Sequence, residues 1–504
     1  NGQLQQSEKA AGFLDSSFAT IGAGAGGTFS GDGSCWKYNR ASFFGRLNYN
    51  FNDRYLFQFT FREDGSSKFG ADSRWGFFPS VAVGWRISEE PFFPKNSVIS
   101  NLKFRASWGQ LGNENALGKY DFLARIASYN DMYMGYVQGA GSNPWTGSIA
   151  RALENRSLKW ETTDTKNIGF DFGLFGNHLN GNINYYINET RDLLITRRIA
   201  PSAGLDNPTL NVGKMRNQGF ELELNWNDKI NDFEYNVGFN ISTIANKVVA
   251  LANEDQTIYG VGLKYGSEHF PTQTKVGKPI GAFYLYQADG IFQSLEEVQA
   301  HKNSKGELLQ PNAQPGDVRF KDMNGDGVID EDDKTYSGTG IAKVEANLNL
   351  GASYKGFDFS AVIGSAFGNK LYNGIRYYYE GMNSGSNFLK TTLNAWTPTN
   401  TKTDIPRAVF GDPNQNTRES TRFLENGDFV RLRQVQLGYT LPKALSKHIY
   451  CESIRFYVSA ENVFTITGYS GANPEFSQGV LNSGVDRFTY PFSRSYTVGA
   501  QVSF

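Results

Sequence analysis

The sequence predicts an all-β fold, a transmembrane antiparallel β-barrel with long extracellular loops and short periplasmic turns. Three observations predict it. Strand-like alternation recurs along nearly the whole chain, the composition is rich in aromatics and glycine without an apolar run of membrane-helix length, and the connections alternate between short and long. Alternation is cleanest at the end of the chain, where Tyr496, Val498, Ala500, Val502 and Phe504 share one face and Thr497, Gly499, Gln501 and Ser503 the other. A period of two is a β-strand with one apolar and one wet side. Outer-membrane barrels commonly end such a strand on an aromatic ring.

Composition narrows the class. The 504 residues include 39 Phe, 26 Tyr, 8 Trp and 55 Gly, against 4 His and 5 Met. A barrel's polar lumen face dilutes its lipid-facing band, which reconciles the aromatic content with modest mean hydropathy. No stretch of about 18 apolar residues is present, so no helix spans a bilayer. Lys and Arg total 49 against 50 for Asp and Glu, which leaves no global field to attract nucleic acid. Cys35 and Cys451 are too few for a disulfide framework, and they are expected on opposite rims, unbonded. The opening residues lack the charged and apolar regions of a signal peptide. A large soluble β-protein is the competing class on composition alone.

The alternating segments in order are 41–51, 54–62, 74–87, 101–112, 158–174, 179–194, 218–226, 233–243, 344–354, 357–367, 429–441, 454–465 and 490–504. In 220–226 the apolar face is Phe220, Leu222, Leu224 and Trp226, and in 454–461 the opposite face carries Arg455, Tyr457, Ser459 and Glu461. Charge spread over a whole strand face suits a watery lumen better than a sandwich interior. Short turns fall at 52–53, 175–178, 227–232 and 355–356, with 442–453 somewhat longer. Long connections cover 113–157, 195–217, 244–343, 368–428 and 466–489. Soluble domains seldom carry loops beyond about 15 residues without a functional reason. A short surface helix is expected over 295–302, and 316–320 reads as extended.

With Phe504 at the periplasmic rim, walking back makes 41–51 a descending strand and puts residues 1–40 outside the cell. About 13 strands is an odd count, which does not close into the usual antiparallel barrel. Residues 1–40 are therefore expected to be an extracellular loop remnant, and 41–504 the C-terminal part of a larger barrel.

Several stretches are more specific than alternation. They are Phe61-Arg-Glu-Asp-Gly-Ser-Ser-Lys-Phe-Gly70, Arg74-Trp-Gly-Phe-Phe-Pro-Ser-Val-Ala-Val-Gly-Trp85, Leu102-Lys-Phe-Arg-Ala-Ser-Trp-Gly-Gln-Leu-Gly-Asn113, Asn211-Val-Gly-Lys-Met-Arg-Asn-Gln-Gly-Phe-Glu221, Asn426-Gly-Asp-Phe-Val-Arg-Leu-Arg433 and Ala460-Glu-Asn-Val-Phe464. In this order they resemble the C-terminal half of the SusC/RagA-type TonB-dependent transporters of Bacteroidetes outer membranes, over essentially the whole chain. The resemblance implies a barrel of about 22 strands with a luminal plug, a SusD-like surface lipoprotein as lid, energy supplied through TonB, and glycan oligomers or peptides as cargo. It also implies paired transporter–lid units in the outer membrane. The sequence departs from that pattern in carrying no plug and no TonB box. Cargo or lid would meet aromatic and amide side chains of the long loops, with Tyr129, Tyr133, Tyr136 and Trp145 in 113–157 and Tyr372, Tyr377, Tyr378 and Tyr379 in 368–428 as candidates. The bland alternative is that these rings pack loop on loop.

Residues 322–333 match a twelve-residue calcium loop. Asp322, Asn324 and Asp326 fill positions 1, 3 and 5, Gly327 makes the turn, Val328 offers its carbonyl, and Asp330 and Asp333 sit at 9 and 12. Calcium is expected there as a structural ion stiffening 244–343, although position 12 is Asp where an EF-hand has Glu. Catalytic motifs are lacking. The glycines Gly22, Gly24 and Gly27 open no helix, no G-x-S-x-G occurs, and the four histidines are isolated, so the chain is not expected to be an enzyme. The readings that remain are a transport subunit, an adhesive or structural outer-membrane barrel, and a soluble carbohydrate-binding β-protein.

Overall fold

A computed structural model describes residues 2–9, 30–94, 98–129, 147–197, 199–251, 257–265, 267–382, 387–448, 450–476 and 478–504. Its frame is one antiparallel sheet of thirteen consecutively paired strands: β1 (Arg40–Phe51), β2 (Tyr55–Ser66), β3 (Trp75–Arg86), β4 (Ile99–Asn113), β5 (Glu161–Leu174), β6 (Leu179–Arg191), β7 (Gly213–Ile230), β8 (Phe233–Thr243), β9 (Val344–Tyr354), β10 (Phe357–Phe367), β11 (Phe429–Thr440), β12 (Ser453–Thr467) and β13 (Ser495–Ser503). A fourteenth strand, Ala245–Leu251, pairs with β7 off this path. All the pairings are antiparallel, so β1 and β13, at opposite edges, run in the same direction.

Register carries the apolar stripe from strand to strand. Leu47 lies opposite Phe59, Phe59 opposite Val81, and Val81 opposite Trp108. The stripe continues through Phe104, Phe170, Ile183, Leu222 and Ile241. It ends through Leu350, Ala361, Val435, Ala460 and Tyr496. A slip of one residue anywhere would turn a strand inside out. These side chains do not meet a second sheet: on the same face Phe220 is 57% exposed, Phe456 51% and Val498 85%. Uncovered apolar area of this extent needs lipid or protein against it.

The other face is wet. Arg105 donates to Asp171 at 2.7 Å, Asn182 to Glu223 at 2.9 Å and Asn347 to Asn240 at 2.9 Å. These bonds cross between neighbouring strands, so the charges along each strand find partners beside them and not in a protein interior. That is how a barrel lumen is built.

Tight turns sit at one end of the sheet. Lys355 and Gly356 have φ of +47° and +91°, the left-handed pair that a two-residue hairpin with right-handed strand twist requires, and Asn52 and Asp53 have +53° and +52° in the three-residue turn between Phe51 and Tyr55. The 442–453 connection holds a helix, Lys443–His448, and Cys451 is buried just after it. Cys35 lies in a strand, Ser30–Lys37, paired with Gly2–Lys9, and its side chain is outside the described residues. Residues 2–9 and 30–37 thus form a hairpin of their own within the segment expected to be a loop.

Fully buried side chains lie mostly outside the wall, in the long connections at the other end. One core joins Leu263, Phe283 and Leu285 of 244–343 to Tyr372, Tyr377 and Phe423 of 368–428 and to Val485 of 466–489. Three loops distant in sequence therefore fold as one lobe. The segment 195–217, expected to be a loop, is instead partly strand, since Leu194–Thr196 pairs with Thr209–Asn211 and β7 begins at Gly213.

Candidate functional site

The lobe is built on short strands. Ile258–Tyr259, Thr272–Thr274, Ala282–Leu285 and Thr335–Thr339 make a four-stranded sheet, and Lys370–Asn373 pairs with both Leu424–Asn426 and Val485–Asp486. The expected surface helix forms over Leu295–Ala300, with the Ser294 hydroxyl accepting from the Glu297 amide. A second short helix, Gly374–Tyr379, is capped by the Asn373 side chain, which accepts from the Arg376 amide at 3.1 Å.

That second helix corrects the aromatic expectation. Tyr372 and Tyr377 are fully buried in the lobe core, so neither presents its ring at a surface. Tyr372 stands on the strand Lys370–Asn373 and Tyr377 on the helix that follows the cap, and both rings turn inward onto Phe423. Tyr378 packs partly against the same core, and Tyr379 keeps about a third of its surface exposed beside Phe488. Tyr129 ends the strand Arg125–Tyr129, and nothing is described of its side chain. Tyr133, Tyr136 and Trp145 lie outside the described residues.

Beside the core is a cleft of about 980 Å³ between 373–405 on one side and 425–426 with 468–472 on the other. Its floor is an ion network. Arg376 donates to Glu380 at 3.0 Å and to Glu425 at 3.1 Å, while Arg422 donates to Glu380 at 3.1 Å. Glu425 also accepts from the Ser470 amide and hydroxyl at 2.7 and 2.8 Å, tying the far wall to the floor. Burial pulls the Arg422 guanidinium down to about 10, against the pull of Glu380. Burial acts the same way on Arg376, but Glu380 and Glu425 outweigh it and hold that group above its usual range. Buried charges of this kind survive only when paired.

Composition gave little sign of this cleft. Its residues have no period, and its pairs join positions up to 97 apart. The density of Asn and charged residues in 368–428 was the one available signal.

A second network links the loops. Glu419 contacts Lys334 at 2.5 Å and His269 at 2.7 Å. Burial works to raise the Glu419 carboxyl, but its two partners outweigh that and hold it at about 2. Arg407 grips fully buried Asp317 with two bonds, at 2.8 and 3.2 Å.

The loop 322–333 folds as a chain of tight turns. Asp322 accepts from the Gly325 and Gly327 amides at 2.6 and 2.9 Å, and Gly327 has φ +93° as its place in the loop demands. Asp326 accepts from Val328, Asp330 from Asp332, and buried Asp333 from Met323, Asn324 and Asp330. The oxygens at positions 1, 3, 5, 9 and 12 suit a hard cation. Among the described residues, however, no three His, Cys, Asp or Glu side chains converge as a metal cluster. The carboxylates are turned to the loop's own amides.

An antiparallel wall that is apolar outside and polar inside, with tight turns at one end and a folded loop lobe at the other, defines an outer-membrane β-barrel. The chain matches the family model described as "TonB dependent receptor-like, beta-barrel" over residues 4–463, and it belongs to that family. It is 32% identical to TonB-dependent receptor P3 of Formosa agariphila and 31% identical to TonB-dependent receptor SusC of Bacteroides thetaiotaomicron, in each case over 92% of this chain. It spans 45% and 43% of those relatives' lengths, so less than half. The solved RagAB peptide transporter superposes with a TM-score of 0.77 at 26% identity, over 97% of this chain and 50% of that one. These relationships place the protein in the outer membrane and bear out the SusC/RagA resemblance.

Proposed function

We propose that this chain is the barrel portion of an active importer that takes glycan oligomers or peptides across the outer membrane. A SusD-like surface lipoprotein acts as its lid, and TonB drives it through parts of the protein beyond these residues. The observation that carries the reading is the unbroken apolar stripe over thirteen strands, backed by a charged inner face. Such a wall is a conduit's wall, since lipid demands that all backbone groups be paired within the sheet. Strands beyond β1 and β13 would complete the barrel, and an odd number of them restores antiparallel closure. A soluble carbohydrate-binding protein would have to hide the stripe that is exposed here. An adhesive barrel would need no energy coupling. Paired transporter–lid units fit the family.

The experiment is uptake in cells that lack the gene, complemented by the intact protein. Restored growth on an oligomeric nutrient, abolished when TonB is removed, is the expected result. Uptake independent of TonB would favour the adhesive or passive reading.

For residues 322–333 we propose structural calcium, supported by an oxygen donor on the side chain at each of positions 1, 3, 5, 9 and 12. The carboxylates would keep some amide bonds while turning free lone pairs to the ion. Calorimetric titration of the purified protein with calcium is the test, and no heat of binding at millimolar calcium removes the proposal.

A further inference from the structure

The apolar stripe stops abruptly on three neighbouring strands at the loop end of the sheet. Every second residue from Phe170, Ile183 and Leu222 towards the loops lies on the same outer face. On β5 these positions are Ile168, Lys166 and Asp164, and on β6 they are Tyr185, Ile187, Glu189 and Arg191. On β7 they are Phe220, Gln218, Arg216 and Lys214. Register joins them into one surface, with Lys166 opposite Trp108 and Ile187, and Glu189 opposite Asp164 and Arg216. Lys247, on the strand Ala245–Leu251, stands directly opposite Arg216. Other outward positions at this end, such as Trp75, Phe77, Phe367 and Ile466, are apolar and exposed. The charge is a local patch on the lipid side of the wall.

The patch carries five cations, Lys166, Arg191, Lys214, Arg216 and Lys247, against two carboxylates, Asp164 and Glu189, a surplus of three. Both carboxylates are committed. Glu189 accepts from Arg216 at 2.8 Å and pairs with Lys214 at 2.9 Å, while Asp164 pairs with Arg191 at 2.5 Å. Lys166 and Lys247 are exposed, and neither has a carboxylate partner among the described residues. Arg191 and Arg216 keep 46% and 43% of their side-chain surface open, so donors remain on both. Like charges directly opposite one another on adjacent strands repel, and Arg216 with Lys247 is such a rung. The carboxylate beside it, Glu189, already serves two cations. An added anion over this rung would relieve the repulsion.

We propose that this patch binds the phosphorylated headgroup of a glycolipid in the outer leaflet, with the acyl chains lying on Ile168, Tyr185 and Phe220. Its position selects that occupant. It begins where the lipid-facing stripe ends, at the depth where acyl chains give way to headgroups, so a phosphate carried on a lipid arrives already placed. Below it, the Tyr185 and Phe220 rings pack 4.8 Å apart, and Ile168 and Phe220 are 47% and 57% exposed. Guanidinium groups match phosphate oxygens with paired donors, and the lysines add point charges on flexible stems. Massed basic residues at a membrane surface attract anionic headgroups. From β5 to the strand of Lys247 is three strand spacings, about 14 Å, so a broad sugar headgroup can reach cations that a lone phosphate would not. The assignment needs only the membrane wall and stands whether or not the barrel imports.

The test is native mass spectrometry of the full-length purified protein in detergent. It is titrated with lipid A carrying its phosphates, with dephosphorylated lipid A, and with inorganic phosphate. The phosphorylated lipid is expected to bind about tenfold more tightly than the dephosphorylated one. Lys166→Gln combined with Lys247→Gln should remove most of that preference. Lys305→Gln combined with Lys390→Gln, at exposed lysines of the long loops, should leave it intact. Neither Lys166 nor Lys247 holds a carboxylate in place, so their double variant should keep the heat-modifiable migration of the wild type. Equal affinity for the two lipids overturns the proposal, as does a preference that survives the Lys166 and Lys247 substitutions. Saturable binding of inorganic phosphate without preference between the lipids overturns it in favour of a free-anion site.

Discussion

Arg455 on β12 reaches over β11 to Asp358 on β10, with Nε to Oδ1 at 2.9 Å and Nη2 to Oδ2 at 2.5 Å. The strand between them carries Gly438 directly beneath the pair, where a Cβ would stand 2.5 Å from both the guanidinium and the carboxylate. The bond exists because that position has no side chain. Glycine inside a strand commonly marks such a close approach. Gly438→Val is expected to break the pair and destabilise the wall by about 1–3 kcal/mol, as overpacking does. The check is the temperature at which the purified protein loses heat-modifiable migration. An unchanged temperature would mean that the pair is dispensable.

Glu419 pins two loops together through Lys334 and His269. Glu419→Ala leaves buried Lys334 without this partner and should cost the lobe about 3 kcal/mol, read as faster amide exchange around Leu263 and Phe283. The pH dependence follows in sign. A carboxyl held at about 2 when folded, below its ordinary 4.5, contributes stability that is fully present above pH 4.5 and is lost as pH falls towards 2. Protection of the lobe amides, taken relative to their intrinsic exchange rate at each pH, should therefore fall below pH 4.5 in the wild type and much less so in Glu419→Ala.

Tyr372 separates packing from cargo contact. Its ring is fully buried, and among the described residues its hydroxyl has no hydrogen-bond partner. Tyr372→Phe should be neutral or slightly stabilising, since it removes an unsatisfied polar atom. Tyr372→Ala should cost about 3–5 kcal/mol by opening a cavity. Thermal melts read both. A large loss in Tyr372→Phe would show that the hydroxyl has a role this packing does not explain.

The turn at Lys355–Gly356 offers a local test. Gly356 has φ +91°, and a Cβ there would lie 2.7 Å from the Thr440 carbonyl oxygen. Gly356→Ala should destabilise by roughly 1–3 kcal/mol and slow refolding into lipid vesicles. Lys355→Asn, which tolerates the left-handed region well, should not.

The barrel wall was legible because lipid and water impose a period of two on every strand. The spans 233–243, 344–354 and 357–367 coincide with β8, β9 and β10. Misplaced ends have physical causes. Leu158 and Trp160 continue the alternation of β5 but are buried among Phe69 and Phe78 at the loop end. β7 extends back to Gly213, through Lys214, Arg216 and Asn217, where the apolar signal fades although the ladder with β6 and with Ala245–Leu251 continues. Pro491, which has no amide hydrogen to donate, falls within 490–494 ahead of the start of β13 at Ser495.

The lobe was far less legible. Its folding depends on contacts between residues tens to hundreds of positions apart, such as Val261 with Asn482 or Lys334 with Glu419. Such contacts leave no periodic trace. Aromatic residues in a loop look the same in sequence whether they fill a core, as Tyr372 and Tyr377 do, or wait for a ligand. The cleft went unseen for the opposite reason, since amides and paired charges are ordinary loop composition.

The most direct test of the membrane wall is a spin-label scan along β7 in lipid vesicles, one cysteine at a time through Phe220, Glu221, Leu222, Glu223, Leu224 and Asn225. Collision with oxygen, which partitions into lipid, should peak at 220, 222 and 224. Collision with a water-soluble nickel complex should peak at 221, 223 and 225. Equal exposure of both sets to the nickel complex, or burial of the 220–222–224 set from both probes, would contradict a wall with lipid on one side and an aqueous lumen on the other.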